Sequence, residues 1–119
     1  WSNNEAGAKY TTPVLKDNFL YGFSDKRKMY CLNGSTGQTA WIDSTLYSDF
    51  ATIVDCGSVI MGLPGTGNLI VLKPDPKALT LVAKYKVTAT PVFTYPVIAG
   101  NEIYVKDAES LIMYRINEN

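Results

Sequence analysis

Short apolar stretches alternate with turn-forming residues along the whole chain. Runs such as residues 19–23 and 68–72 are rich in aromatic and β-branched side chains, as strands prefer. Clusters of Gly, Asn, Asp and Ser separate these runs at intervals of about ten residues, which is typical of an antiparallel meander. Few windows show the helical period near 3.6, so the pattern predicts an all-β fold.

The strands fall into three successive sets with the same internal order. The first strand of each set is predicted at residues 13–15, 52–54 and 96–98, the second at 19–23, 58–63 and 102–106, and the third at 28–32, 68–72 and 111–116. A fourth strand is predicted at 38–41 and 79–87, with a short helix at 77–82 as the alternative for the second of these. The third set has no predicted fourth strand.

Apolar residues recur with a period of about forty residues. Met29, Leu69 and Met113 are separated by 40 and 44 residues, and Trp1 stands 40 residues before Trp41. A period near forty, built from short strands, is typical of a β-propeller blade. The sequence therefore predicts four-stranded antiparallel propeller blades at about 10–43, 50–88 and 91–117, in an incomplete ring of about three blades.

The stretch "KMYCLNGSTGQTAW", residues 28–41, resembles the blade signature of pyrroloquinoline-quinone-like repeat β-propellers, in which an "LYALD" strand precedes "TGxxxW". The stretch "TYPVIAGNEIYVKDAESLIMYRIN", residues 94–117, is similar to the final blade of such proteins. The resemblance implies the C-terminal part of a larger quinoprotein-like propeller in the periplasm or outside the cell. The expected partners are the remaining blades of the same propeller or another protein chain.

This resemblance leaves three functions open. The family includes scaffolds that bind no quinone, and the leading interpretation is a non-catalytic scaffold or interaction module. The alternatives are the C-terminal part of a quinone-dependent dehydrogenase and a glycan-binding propeller. Alcohol-oxidising members of the family typically use adjacent cysteines, whereas Cys31 and Cys56 lie far apart in this sequence.

Composition and charge argue against several classes of function for this segment. The chain has no histidine, which removes His-dependent nucleophilic catalysis from its own residues. Eleven basic residues balance eleven acidic ones, so the chain has no excess of positive charge that would favour binding to nucleic acid. The sequence contains no run of 18 apolar residues, so it predicts no membrane-spanning segment. The spacing of Asp43, Asp49 and Asp55 does not form a calcium loop. We therefore expect no catalytic residue, no cofactor and no metal site in this segment.

Aromatic side chains are the remaining candidates for a binding surface. Most of the tyrosines and phenylalanines lie on predicted inner strands, where packing in the core is expected. Tyr47, Phe50 and Phe93 instead lie in segments that connect one predicted blade to the next. Because connecting segments run over the surface, we expect these three residues to form a possible binding rim.

Overall fold

A computed structural model describes residues 1–116 as eleven strands in three antiparallel sheets. The first sheet contains β1 (Val14–Lys16), β2 (Phe19–Phe23), β3 (Met29–Asn33) and β4 (Thr39–Ile42). The second contains β5 (Ala51–Asp55), β6 (Ile60–Pro64), β7 (Asn68–Lys73) and β8 (Thr80–Lys86). The third contains β9 (Val97–Ala99), β10 (Glu102–Lys106) and β11 (Leu111–Arg115).

Each sheet is a meander in which strands pair in chain order, as the pattern of apolar runs and turns predicts. The all-β prediction is confirmed, and observed strand ends differ from the predicted ones by at most about two residues. The segment 77–82 forms no helix, because Thr80 already begins β8. The three sheets do not close into a ring within the described residues. The last residue of the predicted third blade, residue 117, lies outside them.

The turn "NGSTG" between β3 and β4 is held by its own side chains. The Asn33 carboxamide oxygen accepts the backbone N–H groups of Ser35 and Thr36, and the Gly37 N–H donates to the Asn33 carbonyl at 2.8 Å. Gly37 adopts a φ of +74°, where a side chain would be strained. A Cβ there would also overlap the ring of Trp1, which lies directly on this glycine.

A β-bulge shows that the first two sheets are copies of one unit. The pairing of β3 with β4 shifts register between Cys31 and Leu32, and that of β7 with β8 shifts between Val71 and Leu72. Immediately beside the bulge, Cys31 pairs with Trp41, and Val71 pairs with Ala83. Trp41 and Ala83 therefore occupy the same position in their outermost strands.

Two apolar cores lie between the sheets. The first core joins the first and second sheets through Tyr21, Phe23, Met29, Cys31, Ala51, Ile53, Ile60, Ile70 and Leu72. The second core joins the second and third sheets through Met61, Leu63, Leu69, Val71, Val87, Val92, Ile103 and Val105. Stacking of apolar sheet faces in series, rather than one shared core, is what a propeller requires.

The residues Met29, Leu69 and Met113 all lie on the third strand of their sheet. Met29 and Leu69 are buried against the following sheet. Met113 pairs with Tyr104, and because Ile103 and Val105 face the second sheet, this pair faces the opposite way. Met113 is 45% exposed, since no following sheet covers it among residues 1–116.

Candidate functional site

The segments that lead into the innermost strands β1, β5 and β9 approach one another at one end of the sheets. The Tyr95 hydroxyl lies 2.8 Å from the Thr11 hydroxyl and accepts the backbone N–H of Thr12 at 3.3 Å. Tyr95 precedes β9, whereas Thr11 and Thr12 precede β1. The segments that precede the first and third sheets therefore contact each other directly, although the whole second sheet separates them in sequence.

Aromatic rings from all three segments gather at this convergence. The Tyr10 and Phe50 ring centroids are 5.8 Å apart, and the Phe50 and Phe93 centroids are also 5.8 Å apart. The first pair is tilted, with an interplanar angle of 35°, and the second is edge-to-face, at 62°; both centroid distances lie in the range where aromatic rings attract. We call Tyr10, Phe50, Phe93 and Tyr95 the aromatic rim.

Three of the four rim residues are exposed to solvent. Tyr10 is 66% exposed and Phe93 is 65% exposed, while Phe50 is half-buried between them. Single exposed apolar residues are common on soluble proteins, but rings in mutual contact form a patch. Such a patch can desolvate against another surface without breaking hydrogen bonds of its own.

Gly65, in the turn between β6 and β7, fixes the position of the rim. Its N–H donates to the Phe50 carbonyl at 2.7 Å, and its carbonyl accepts the Val92 N–H at 3.0 Å. A Cβ at Gly65 would lie 3.0 Å from the Val92 carbonyl oxygen and 3.2 Å from that of Phe50. A side chain at residue 65 would crowd both carbonyl groups, so glycine lets this turn lie close to both connecting segments and hold them in place.

Of the three residues predicted as a rim, the structure brings Phe50 and Phe93 together and uses Tyr47 differently. The Tyr47 ring packs edge-on against Phe23, with centroids 5.3 Å apart, at the border of the first core. Its hydroxyl donates to Asp43 at 3.3 Å, and burial together with the Asp43 carboxylate raises the pKa of Tyr47 to about 12. Tyr47 is thus a packing residue, held in place by the first sheet.

Tyr10 and Tyr95 were not predicted as members of the rim. Each lies, like Phe50 and Phe93, within four residues before an innermost strand. This recurring position was the signal in the sequence. This position predicts a shared aromatic surface only when the starts of the three innermost strands are known to lie close together.

Two carboxylates, those of Asp55 and Asp107, accept hydrogen bonds from residues close to them in space or sequence. Asp55 at the end of β5 accepts a hydrogen bond from the Lys16 ammonium at 2.8 Å, which, with the Gly57 N–H, holds its pKa below the usual value. Asp107 accepts the N–H groups of Glu109 and Ser110, which lower its pKa in the same way. Across residues 1–116 no three potential metal-binding side chains cluster.

Both cysteines are free thiols. Cys31 is fully buried in the first core, and this burial raises its pKa to about 11. Cys56 lies half-buried after β5, and burial raises its pKa as well. Because the thiolate is the reactive form, neither sulfur is prepared to act as a nucleophile.

Among residues 1–116, no helix is long and apolar enough to cross a bilayer.

Comparisons with known proteins bear on the fold. No protein-family model matches the chain, and no curated protein matches it. Among solved structures, BamB from Moraxella catarrhalis superposes with a TM-score of 0.68 at 19% identity, over 91% of this chain and 31% of that one. A chain of the Mitotic Checkpoint Complex gives 0.68 at 18% identity, over 87% and 34%.

A third match is the computationally designed protein Ika8, with a TM-score of 0.61 at 12% identity, over 87% of this chain and 32% of that one. At these identities the likeness concerns the fold alone. The chain has a β-propeller-like fold. It spans about a third of the length of the structures that it matches.

Proposed function

We propose that this chain is the C-terminal part of a larger, quinoprotein-like β-propeller that serves as a non-catalytic interaction module. The observation that carries the proposal is the aromatic rim, an exposed apolar patch built from the connecting segments of three successive sheets. The sequence resemblance described above supports the family and a location in the periplasm or outside the cell. The remaining blades would cover the outer faces of the first and third sheets.

Several properties of the rim suit a protein partner. Aromatic residues are enriched where protein surfaces meet, because they bury a large area with little loss of side-chain freedom. The rim rests on backbone hydrogen bonds of Gly65 and on the contact between Tyr95 and Thr11, so its rings are positioned before a partner arrives. Pre-positioned groups lose less entropy on binding.

A second candidate ligand is a glycan, and one observation favours it. The rings of Tyr10 and Phe93 are each more than half exposed, and apolar sugar faces stack on such rings. A glycan and a protein segment would use the same patch, so the same variants test both. The two candidates are distinguished by what the rim captures, which is a neighbouring protein in one case and an immobilised glycan in the other.

The experiment places a photoreactive amino acid, p-benzoylphenylalanine, at Phe93 in cells that produce the complete polypeptide. We expect a discrete protein adduct after irradiation, and we expect Tyr10→Ala to reduce its yield. The matched control places the same amino acid at Leu46, which is exposed in the connecting segment between the first and second sheets.

If the yield of protein adduct at position 93 does not exceed the yield at position 46, the rim does not bind a protein partner. Retention on a glycan array that is lost in the Tyr10→Ala, Phe93→Ala double variant would establish the glycan candidate instead. Without an adduct and without retention, the rim is not a binding surface and the proposed function is wrong.

A further inference from the structure

The aromatic rim presents three rings in series to a ligand. Phe50 stands between Tyr10 and Phe93, and each of the two centroid separations is 5.8 Å. The outer two centroids are therefore at most twice this distance apart. A segment that contacts all three rings must place its contacts within that span.

The rings are inclined to one another, which decides the shape of group that they accept. The interplanar angle is 35° between Tyr10 and Phe50 and 62° between Phe50 and Phe93. A flat ligand face that stacks on one of these rings is inclined to the next ring. Tilted neighbours instead form a notch on each side of Phe50, and a notch suits a compact apolar group with thickness of its own.

The backbone beneath the rim is already hydrogen-bonded, so it offers little to an incoming β-strand. The Phe50 carbonyl accepts the Gly65 N–H, and the Val92 N–H donates to the Gly65 carbonyl. Residues 43–50 and 87–96 form no strand. A segment that binds here must therefore do so without a ladder of main-chain hydrogen bonds.

A polyproline II segment meets both requirements. It is a left-handed helix of three residues per turn without internal hydrogen bonds, and it rises about 3.1 Å per residue. Residues two apart along its axis are thus separated by about 6 Å, close to the 5.8 Å between neighbouring rings. The proline ring is a compact apolar group, and its fixed φ lowers the entropy lost on binding.

The rim also supplies a hydroxyl proton, which the unpaired carbonyl groups of a polyproline II segment can accept. The Tyr95 and Thr11 hydroxyls lie 2.8 Å apart and carry two protons, of which their mutual hydrogen bond uses one. The Thr11 hydroxyl lies 3.5 Å from the Thr12 carbonyl, at the limit of a hydrogen bond. The second proton is therefore available to a carbonyl of the ligand.

One charge at the border of the rim favours an acidic neighbour. Lys9 directly precedes Tyr10, is exposed, and forms no ion pair among residues 1–116. The stretch 91–96, which carries Phe93, contains no charged residue. A carboxylate that follows or precedes the prolines at the Tyr10 end can therefore pair with Lys9.

We propose that the aromatic rim binds a proline-rich segment of another protein in the polyproline II conformation, with an acidic residue at the Tyr10 end. Prolines occupy the notches beside Phe50, and a hydroxyl of the Tyr95–Thr11 pair donates to a carbonyl of the segment. The inference rests on the proposed function, because it names the class of partner that the interaction module binds.

The first test measures the fluorescence anisotropy of labelled peptides mixed with the complete polypeptide. The probes are decaproline, a Gly-Ser peptide of equal length, and decaproline with two glutamates at either its N- or its C-terminus. We expect decaproline to bind saturably and the Gly-Ser peptide not to bind. Equal binding of these two probes, or no saturation by decaproline up to about 1 mM, would overturn the proposal.

Variants of the complete polypeptide locate the binding. Tyr10→Ala and Phe93→Ala should each weaken decaproline binding about tenfold or more, whereas Leu46→Ala, the control, should not change it. Both rim side chains are largely exposed, so an unchanged thermal midpoint verifies that the variants are folded. Decaproline that binds Phe93→Ala as tightly as the unaltered protein binds elsewhere, and the proposal is then wrong.

The glutamate probes test the role of Lys9. One of them should bind about two- to fivefold more tightly than decaproline, as an exposed ion pair allows. Lys9→Ala should remove this advantage and leave the binding of decaproline itself unchanged. If neither glutamate probe gains affinity, or if the gain persists in Lys9→Ala, the acidic neighbour is refuted.

The photoadduct at position 93 separates this inference from the proposed function. We expect mass spectrometry to map the captured peptide to a proline-rich segment of the partner. An adduct to a segment without proline would leave the interaction function standing and refute the inference. Retention on a glycan array in place of a protein adduct would also refute it, and the lack of both would refute the inference together with the proposed function.

Discussion

Replacing Trp41 with alanine is the sharpest test of how the blades hold together. Trp41 borders the first core, contacts Tyr21, and donates its indole N–H to the Asp75 carbonyl of the next sheet. The substitution removes the ring and this hydrogen bond together. Trp41→Phe keeps most of the ring and removes only the hydrogen bond.

The expected loss of stability follows from burial. Truncating a fully buried aromatic residue to alanine costs about 3–5 kcal/mol. Trp41 is only half-buried, so we expect about 2 kcal/mol from packing. The hydrogen bond adds about 1 kcal/mol. Trp41→Ala should therefore lower the free energy of unfolding by about 3 kcal/mol, and Trp41→Phe by about 1 kcal/mol.

Trp1 provides an internal control, because it makes the same kind of hydrogen bond while 64% of its surface remains exposed. Trp1→Ala should cost at most about 1 kcal/mol. Urea unfolding followed by far-ultraviolet circular dichroism measures all three variants without depending on indole fluorescence. Equal losses for Trp1→Ala and Trp41→Ala, or a loss below about 0.5 kcal/mol for Trp41→Ala, would refute the role of Trp41 in closing the boundary.

Three further outcomes follow from the structure. Gly65→Ala should cost about 1–3 kcal/mol in urea unfolding, because its Cβ would press on two connecting segments, and it should weaken rim adducts. Lys16→Met should lower the urea midpoint at pH 7 but not at pH 2. The depressed pKa of Asp55 means that its stabilisation is present above about pH 4 and is lost as the pH falls through the folded-state pKa. Cys31 should resist iodoacetamide at pH 8 in the native protein and react in urea, as mass spectrometry can show, because burial raises its pKa to about 11.

The aromatic rim shows what sequence reasoning could reach and where it stopped. Their position in connecting segments, which run over the surface, singles out Phe50 and Phe93, and the structure places these two rings in contact. Tyr47 lies in a connecting segment as well, yet its ring turns inward onto Phe23. Position in a connecting segment does not fix the direction of a side chain, because that direction depends on which residues lie beneath it.

Ala83 illustrates the same limit in the second sheet. A period of forty residues makes Leu81, not Ala83, the counterpart of Trp41 in the second sheet. The register of the second sheet moves the match by two residues, since Val71 beside the bulge pairs with Ala83. The sequence period cannot reveal this shift, because turns between equivalent strands differ in length and hydrogen bonding across strands sets the final alignment.

The sequence by itself determined the strands, their order and their repetition, because side-chain alternation and turn chemistry are local properties of the chain. Tertiary structure alone decided that three connecting segments meet in one aromatic rim. It also decided that an apolar cleft opens beside Ala83, between the second and third sheets, whereas Trp41 packs against the first core. Both features depend on how far one sheet is displaced and rotated against the next, and that is set by packing between residues forty or more positions apart.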